Sequence, residues 1–371
     1  HPHGKDTSSI RYGFAWDQFR VLTPEEAAAA AAALGQAVAA AKEGAPADRL
    51  RILHAQFRAQ ELGSRYYWNA RRLMATPVRN EMEAKEVVAG ARAILALGQE
   101  MSRHINEVVE KPPMSAISLL RQTNRPNPVY DEMKSGQPGP ETLAAISSGV
   151  DAATQTLVAS LGRQKAAAWW RVALKDEKTP ALASLFEAAA IRASGAEIKN
   201  LIEDPGFEEV GKKRAPDEFA ADKEADVSKE LEAQLGIHQW FPERSPYRIV
   251  LSPFAPHSGS WSLAIEHCHR ARLSRLVRAE PGARYRAGMW IKLNDGAGKY
   301  SVTVDAKLKD GTMPVLAAIP VQGKPGEWRQ AFADVTAPPN ATLIMLRLFI
   351  NNQAAGARCW VDDLFIGKYP Q

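Results

Sequence analysis

Near residue 195 the spacing of apolar side chains switches from three-and-four to two, and no other feature constrains the fold as strongly. Upstream, Ala-rich segments carry helix signals. Thr23-Pro24-Glu25-Glu26 combines an N-cap, a first-position proline and first-turn acids, opening a helix to about Lys42. Asp48 caps a second helix, in which Leu50, Leu53 and Phe57 lead to Tyr67 and Trp68 at helical spacing. A third runs from about Glu81 to Val109 and stops at Pro112-Pro113. After a Pro/Gly-punctuated loop over residues 125–140, helices follow at about Glu141 to Leu161, Ala166 to Leu174 and Ala181 to Arg192. Residues 1–194 are predicted to form an antiparallel helical bundle.

Downstream, Ser262 to Glu266, Tyr285 to Lys292 and Tyr300 to Asp305 alternate apolar with polar, and Leu343 to Ile350 and Cys359 to Ile366 add further strands. Turn signals such as Asn294-Asp295-Gly296 and Lys309-Asp310-Gly311 fall between the runs. This spacing predicts a β-sandwich of the jelly-roll kind over residues 195–371. The charged segment 212–235 is expected to be a solvated loop with a helical turn.

A length of 371 residues suits two or three domains, and the switch of period makes it two. Lys and Arg number 47 against 42 Asp and Glu, a formal charge of +5. From Gly195 onward the chain holds 23 basic and 22 acidic residues, so neither half is a nucleic-acid-binding half on charge alone. No run of eighteen apolar residues occurs, so no membrane-spanning helix is expected. The chain opens His1-Pro2-His3 without an initiator Met, and is expected to be the processed or excised tail of a longer protein.

Several pieces of the strand half resemble one family in the right order. Asn200-Leu201 through Gly206-Phe207-Glu208, His257-Ser258-Gly259-Ser260-Trp261-Ser262-Leu263, Pro281-Gly282 before Tyr285, Gly326-Glu327-Trp328 and Trp360-Val361-Asp362-Asp363-Leu364 carry the likeness. Together, over about residues 197–369, they resemble carbohydrate-binding modules of families four and nine, galactose-binding-like jelly rolls. The resemblance implies a structural Ca²⁺ held by Glu208 and Asp362 with backbone carbonyls of Ser258 and Ser260. It also implies sugar binding. On Arg284 to Leu293, Tyr285, Ala287, Met289, Ile291 and Leu293 form the core face, leaving Trp290 on a polar face with Arg286. Trp290 therefore reads either as a ligand platform or as a ring covered by the helical half. Asp305 and Arg347 are candidates to lie beside it, and Trp240 and Tyr247 are further candidates. The cations point to a uronic-acid-bearing glycan. Trp261, Trp328 and Trp360 are expected to pack in the core or at an edge.

The helical half, especially Thr23 to Met74, resembles the helical region that follows the barrel in bacterial glycoside-hydrolase-like proteins related to α-glucuronidases. That resemblance places a catalytic domain upstream of His1. Within the chain, no Gly-rich phosphate loop, nucleophile elbow or paired zinc histidines occur, and no catalytic set stands out. On a strand His267 and His269 point to the side opposite Cys268, and no second cluster completes a metal site, while Cys268 and Cys359 could form a disulfide or remain two buried thiols. The expectation is a secreted or periplasmic bacterial fragment that binds a polysaccharide beside a missing glycan-degrading domain. The alternatives are a lyase-like or hydrolase catalytic part, or a structural interaction module.

Overall fold

The structure, a computed structural model, describes residues 19, 21–111, 128–210, 225–226, 235–239, 248–254, 256–294, 298–321, 324–354 and 356–370. Its contacts divide the chain into two compact units, His1–Thr156 and Leu157–Gln371.

The first unit is helical. Helices α1 (Pro24–Ala40), α2 (Ala45–Ala75), α3 (Glu81–His104), α4 (Pro128–Ser135) and most of α5 (Pro140–Leu161) make it up, α3 running on into a π-helical turn at Ile105–Val109. The predicted start of α1 is a full capping box: Thr23 Oγ1 accepts from the Glu26 backbone at 3.2 Å and Glu26 Oε2 from that of Thr23 at 2.8 Å. Asn80 caps α3 through the Glu83 amide at 2.9 Å. Helix α4 lies where a loop was expected. Pro128 and Asp131 are helix-start signals, and Glu132 fixes α4 to its neighbours. The buried Glu132 carboxylate accepts from Tyr66 of α2 at 2.8 Å and from Thr142 of α5 at 2.9 Å. Burial raises the Tyr66 phenol well above its ordinary pKa, and the Glu132 charge raises it further. Tyr66 thus belongs to the packing of the unit.

The second unit begins with helices α6 (Arg163–Lys175) and α7 (Pro180–Ser194), packed through Trp170 and Phe186 with ring centroids 5.4 Å apart. Eleven strands follow among the described residues: β1 (Ala225–Asp226), β2 (Ile237–Gln239), β3 (Arg248–Ser252), β4 (Ser262–Glu266), β5 (Arg270–Arg278), β6 (Arg284–Leu293), β7 (Lys299–Leu308), β8 (Val315–Pro320), β9 (Arg329–Thr336), β10 (Ala341–Asn351) and β11 (Arg358–Lys368). A six-stranded sheet has the order β1-β3-β4-β11-β6-β9 and a five-stranded sheet β2-β5-β10-β7-β8, all pairs antiparallel. They form the expected β-sandwich. The opening segment contributes a single bridge, Asn200 to Gly367, in place of a strand.

Period two decides which side chains the sheets bury between them. Tyr285, Ala287, Met289, Ile291 and Leu293 of β6 are buried, as predicted, and so are Val302 and Val304 of β7 and Leu346 and Leu348 of β10 in the other sheet. The alternate residues face outward. On the outer face of the six-stranded sheet, α7 is docked by polar contacts. Arg192 pairs with Asp334 of β9 and donates to Tyr369 Oη at 2.6 Å, Glu187 pairs with Arg284, and the Ser184 and Thr336 hydroxyls are 3.0 Å apart.

Candidate functional site

On the outer face of the five-stranded sheet, register lines up Arg272, Phe349 and Ser301 in one row across β5, β10 and β7, Ser274, Arg347 and Thr303 in the next, and Leu276, Met345 and Asp305 in a third. Residues directly opposite in antiparallel strands share a face, so these side chains form one patch on β5, β10 and β7. At its centre Arg347 Nε lies 2.9 Å from Asp305 Oδ2, and Thr303 Oγ1 donates to the same oxygen at 2.7 Å. Asp305 is only 2% exposed. Burial pushes its carboxyl above the ordinary carboxylate value, against the pull of Thr303 and Arg347. Burial lowers the Arg272 guanidinium, and the charge of Arg347 beside it lowers it further. Two cations are therefore held close on a part-buried surface. The Ser274 hydroxyl between them is buried with no hydrogen-bond partner among the described residues. The patch combines fixed donors, one acceptor and the apolar bodies of Phe349 and Met345, which suits a ligand with both hydroxyls and C–H faces.

The predicted sugar-binding residues are not one site. Asp305 and Arg347 belong to this patch, whereas Trp290 and Arg286 lie on the outer face of the six-stranded sheet, across the sandwich. Arg286 is taken up by Asp334, at 3.3 Å, and stacks over Phe332 with 5.0 Å to the ring centroid. One face of Trp290 is covered by the His257 ring, the centroids 3.7 Å apart and the planes 19° from parallel. Trp328 meets His257 edge-on at 5.7 Å. Lys292 places its Nζ 4.8 Å from the ring centroids of both Trp328 and Trp360, a cation between two indoles. The rings and Lys292 pack on one another, while the Trp360 Nε1 is buried without a hydrogen-bond partner among the described residues. Trp240 and Tyr247 lie outside the described residues.

The residues implied as calcium ligands do come together. Glu208 Oε1 accepts from the backbone amides of Ser260 at 2.8 Å and Trp261 at 3.0 Å. Asp362 Oδ2 accepts from His257 at 2.8 Å and Ser258 at 3.3 Å, and Asp363 Oδ1 accepts from Ser258 Oγ at 2.7 Å. Gly206 sits among them: a Cβ there would come 3.4 Å from Asp362 Oδ1 and 3.9 Å from Glu208 Cγ. Burial pushes the Asp362 carboxyl up to about 6, and the charge of Asp363 adds to this. Among the described residues no group of three or more His, Cys, Asp or Glu side chains is arranged to hold a metal ion. A cation here would therefore draw on two carboxylates, Glu208 and Asp362, hard oxygen donors of the kind that Ca²⁺ takes.

Sequence reading missed Arg272 and Ser274, because strand β5 went unrecognised, and Thr303, because its place beside Arg347 depends on the pairing of β7 with β10. Its signal was present: Arg270-Ala271-Arg272-Leu273-Ser274 alternates charge and polarity with apolar residues. Cys268 and Cys359 are both buried free thiols in the structure. No helix among the described residues is long and apolar enough to cross a membrane.

No protein-family model matches the chain. Over 141 residues, 36% of its length, it is 26% identical to endo-1,4-beta-xylanase A of Thermotoga neapolitana. The match spans 13% of that xylanase. Among solved structures, the chain is similar to a carbohydrate-binding module of family 4, at 12% identity over 45% of this chain and 99% of the module, with a TM-score of 0.31. It is also similar to a family 22 xylan-binding domain from Paenibacillus barcinonensis, at 12% identity over 37% of this chain and 87% of that domain, with a TM-score of 0.28.

Proposed function

We propose that the sandwich binds a polysaccharide, serving as the substrate-anchoring portion of an exported bacterial enzyme that degrades glycans. The observation that carries this reading is the Arg347–Asp305 pair, fixed at 2.9 Å on the outer face of the five-stranded sheet among Arg272, Ser274, Thr303 and Phe349. Fixed side chains bind without the cost of ordering them first. The ion pair presents guanidinium donors and a carboxylate acceptor to sugar hydroxyls, while Phe349 and Met345 offer apolar surface to ring C–H groups. The match to part of a xylanase supports a β-linked plant polysaccharide as the ligand. No step of bond cleavage is assigned to this chain. Its contribution is to keep a tethered catalytic domain at high effective concentration on an insoluble substrate.

The test is affinity electrophoresis of the full chain through gels containing xylan, other β-linked glucans and polygalacturonate. Retardation by at least one of them is expected. The double variant Asp305→Asn/Arg347→Gln, which removes the pair without leaving one buried charge alone, should lose that retardation. Equal retardation of wild type and double variant would move the site elsewhere.

A structural Ca²⁺ near Gly206 completes the proposal, with Glu208 and Asp362 as its carboxylate ligands, the backbone of Ser258 and Ser260 lying beside them. Such an ion would fix the opening segment to the end of β11 and relieve the crowding of Asp362 by Asp363. Calcium should raise the melting temperature and a chelator should lower it. An unchanged melting curve would remove the ion.

A further inference from the structure

Taking the sandwich as a glycan-binding unit, we propose that its ligand is a carboxylate-bearing polysaccharide, a chain carrying uronic acids, held by a field of cations that the fold gathers on the outer face of the five-stranded sheet. The strand register puts six cationic side chains on this face: Arg270, Arg272 and Arg278 of β5, Lys299 and Lys307 of β7, and Arg347 of β10. The same strands place one carboxylate there, Asp305. The sequence from Gly195 onward is balanced, with 23 basic and 22 acidic residues, so the excess is produced by segregation and not by composition.

The layout is ordered. Arg270 and Lys299 flank Asn351 at one end of the face, and Arg278 and Lys307 flank Leu343 at the other. These four end cations are exposed. Arg272 and Arg347 occupy the middle, part-buried and close enough for the charge of one to disfavour the other. Arg278 lies eight positions beyond Arg270, a span of about 26 Å along a strand, long enough for several sugar rings. An anion laid across the middle relieves the repulsion between the two guanidiniums, and their planar donors match a carboxylate in two-point fashion. Between the two cationic strands, β10 supplies Leu343, Met345 and Phe349, an apolar line on which sugar C–H faces can rest.

Asp305 distinguishes a uronate chain from a phosphate chain. A buried, fixed carboxylate in the middle of the face accepts hydrogen bonds from sugar hydroxyls. A nucleic-acid phosphodiester has no donor to offer it, whereas a uronate ring carries hydroxyl donors beside its carboxylate. The field therefore favours an acidic polymer that is also rich in hydroxyl groups.

The test compares the full chain on glucuronic-acid-substituted xylan and on the same polymer with its carboxyls reduced to alcohols, at about 0.01 M and about 0.15 M salt. Carboxyl reduction should weaken binding at least about tenfold, the scale of one lost charge-assisted contact. Salt should weaken binding of the acidic polymer and leave the reduced one nearly unchanged. The exposed pair Arg278→Gln/Lys307→Gln should weaken only the acidic polymer, with the melting temperature unaltered. Equal binding of acidic and reduced polymers overturns the charge proposal while leaving the glycan reading intact. Binding of neither polymer removes the glycan reading itself, and the charge proposal with it. Duplex DNA bound as tightly as the acidic polymer also overturns the proposal, since the face would then be a general polyanion surface.

Discussion

Arg192 of α7 pairs with Asp334 of β9, and the two sit at the centre of the contact that fastens the helix to the six-stranded sheet. Tyr369 Oη donates to Asp334 Oδ1 at 2.5 Å and accepts from Arg192 at 2.6 Å, and Arg286 approaches the same carboxylate at 3.3 Å. Every member is part of one polar network on a largely buried surface. By sequence α7 belongs to the helical half, yet its contacts bind it to the strands.

Cutting this network should destabilise the sandwich unit. Arg192→Ala leaves Asp334 buried with a reduced set of partners, a change that costs about 3 kcal/mol. For a unit of this size that corresponds to a fall of roughly 6–12 °C in melting temperature. Differential scanning calorimetry of the full chain measures it. A shift within about a degree would show that apolar packing alone holds α7 in place.

The same cluster sets a dependence on pH. Burial works against the charge of Asp334, but Arg192 and Arg286 together hold its carboxyl below the ordinary value. A carboxylate depressed in the folded state contributes stability that is complete above the unfolded value, about 3.9, and is lost as pH falls through the folded one. Asp305, raised by burial, acts in the opposite sense. The difference in melting temperature between wild type and Asp334→Asn should therefore be largest near neutrality and shrink on acidification below about pH 4. A difference that grows on acidification contradicts the assignment.

Local order was legible in the sequence and long-range pairing was not. The alternation from Tyr285 to Leu293 marks which side chains go inside, because burial on one face is enough to fix a strand's orientation. The N-cap at Thr23 was equally plain. Sheet membership depends on partners far along the chain: β6 pairs with β9 and β11, while β7 pairs with β8 and β10. That alone puts Trp290 and Asp305 on opposite sides of the sandwich, although fifteen positions separate them in sequence. Nothing local reports it. The charge segregation was hidden for the same reason, since a balanced count is silent about which cations share a face. The cluster at Glu208, Ser258, Ser260 and Asp362 was found only through family resemblance, and these four residues do lie together.

The cysteines give an independent check on the core. Burial raises the Cys359 thiol far above its ordinary range, and the neighbouring Cys268 raises it further. Both thiols are buried. The thiolate is the reactive form, so a thiol reagent at mildly alkaline pH should label neither cysteine in the native protein and both after unfolding in denaturant. Rapid native labelling would contradict the burial. Absence of labelling in denaturant, restored by a reductant, would mean that the two are joined as a disulfide.

The proposed function requires a polysaccharide to lie along the outer face of the five-stranded sheet. Hydrogen–deuterium exchange of the full chain, with and without saturating glucuronic-acid-substituted xylan, tests it most directly. Slowed exchange is expected in Arg270–Arg278, Lys299–Leu308 and Ala341–Asn351, with no change around Trp290 and His257. Protection confined to the segments carrying Trp290, His257 and Trp328, with the five-stranded sheet unaffected, would contradict it.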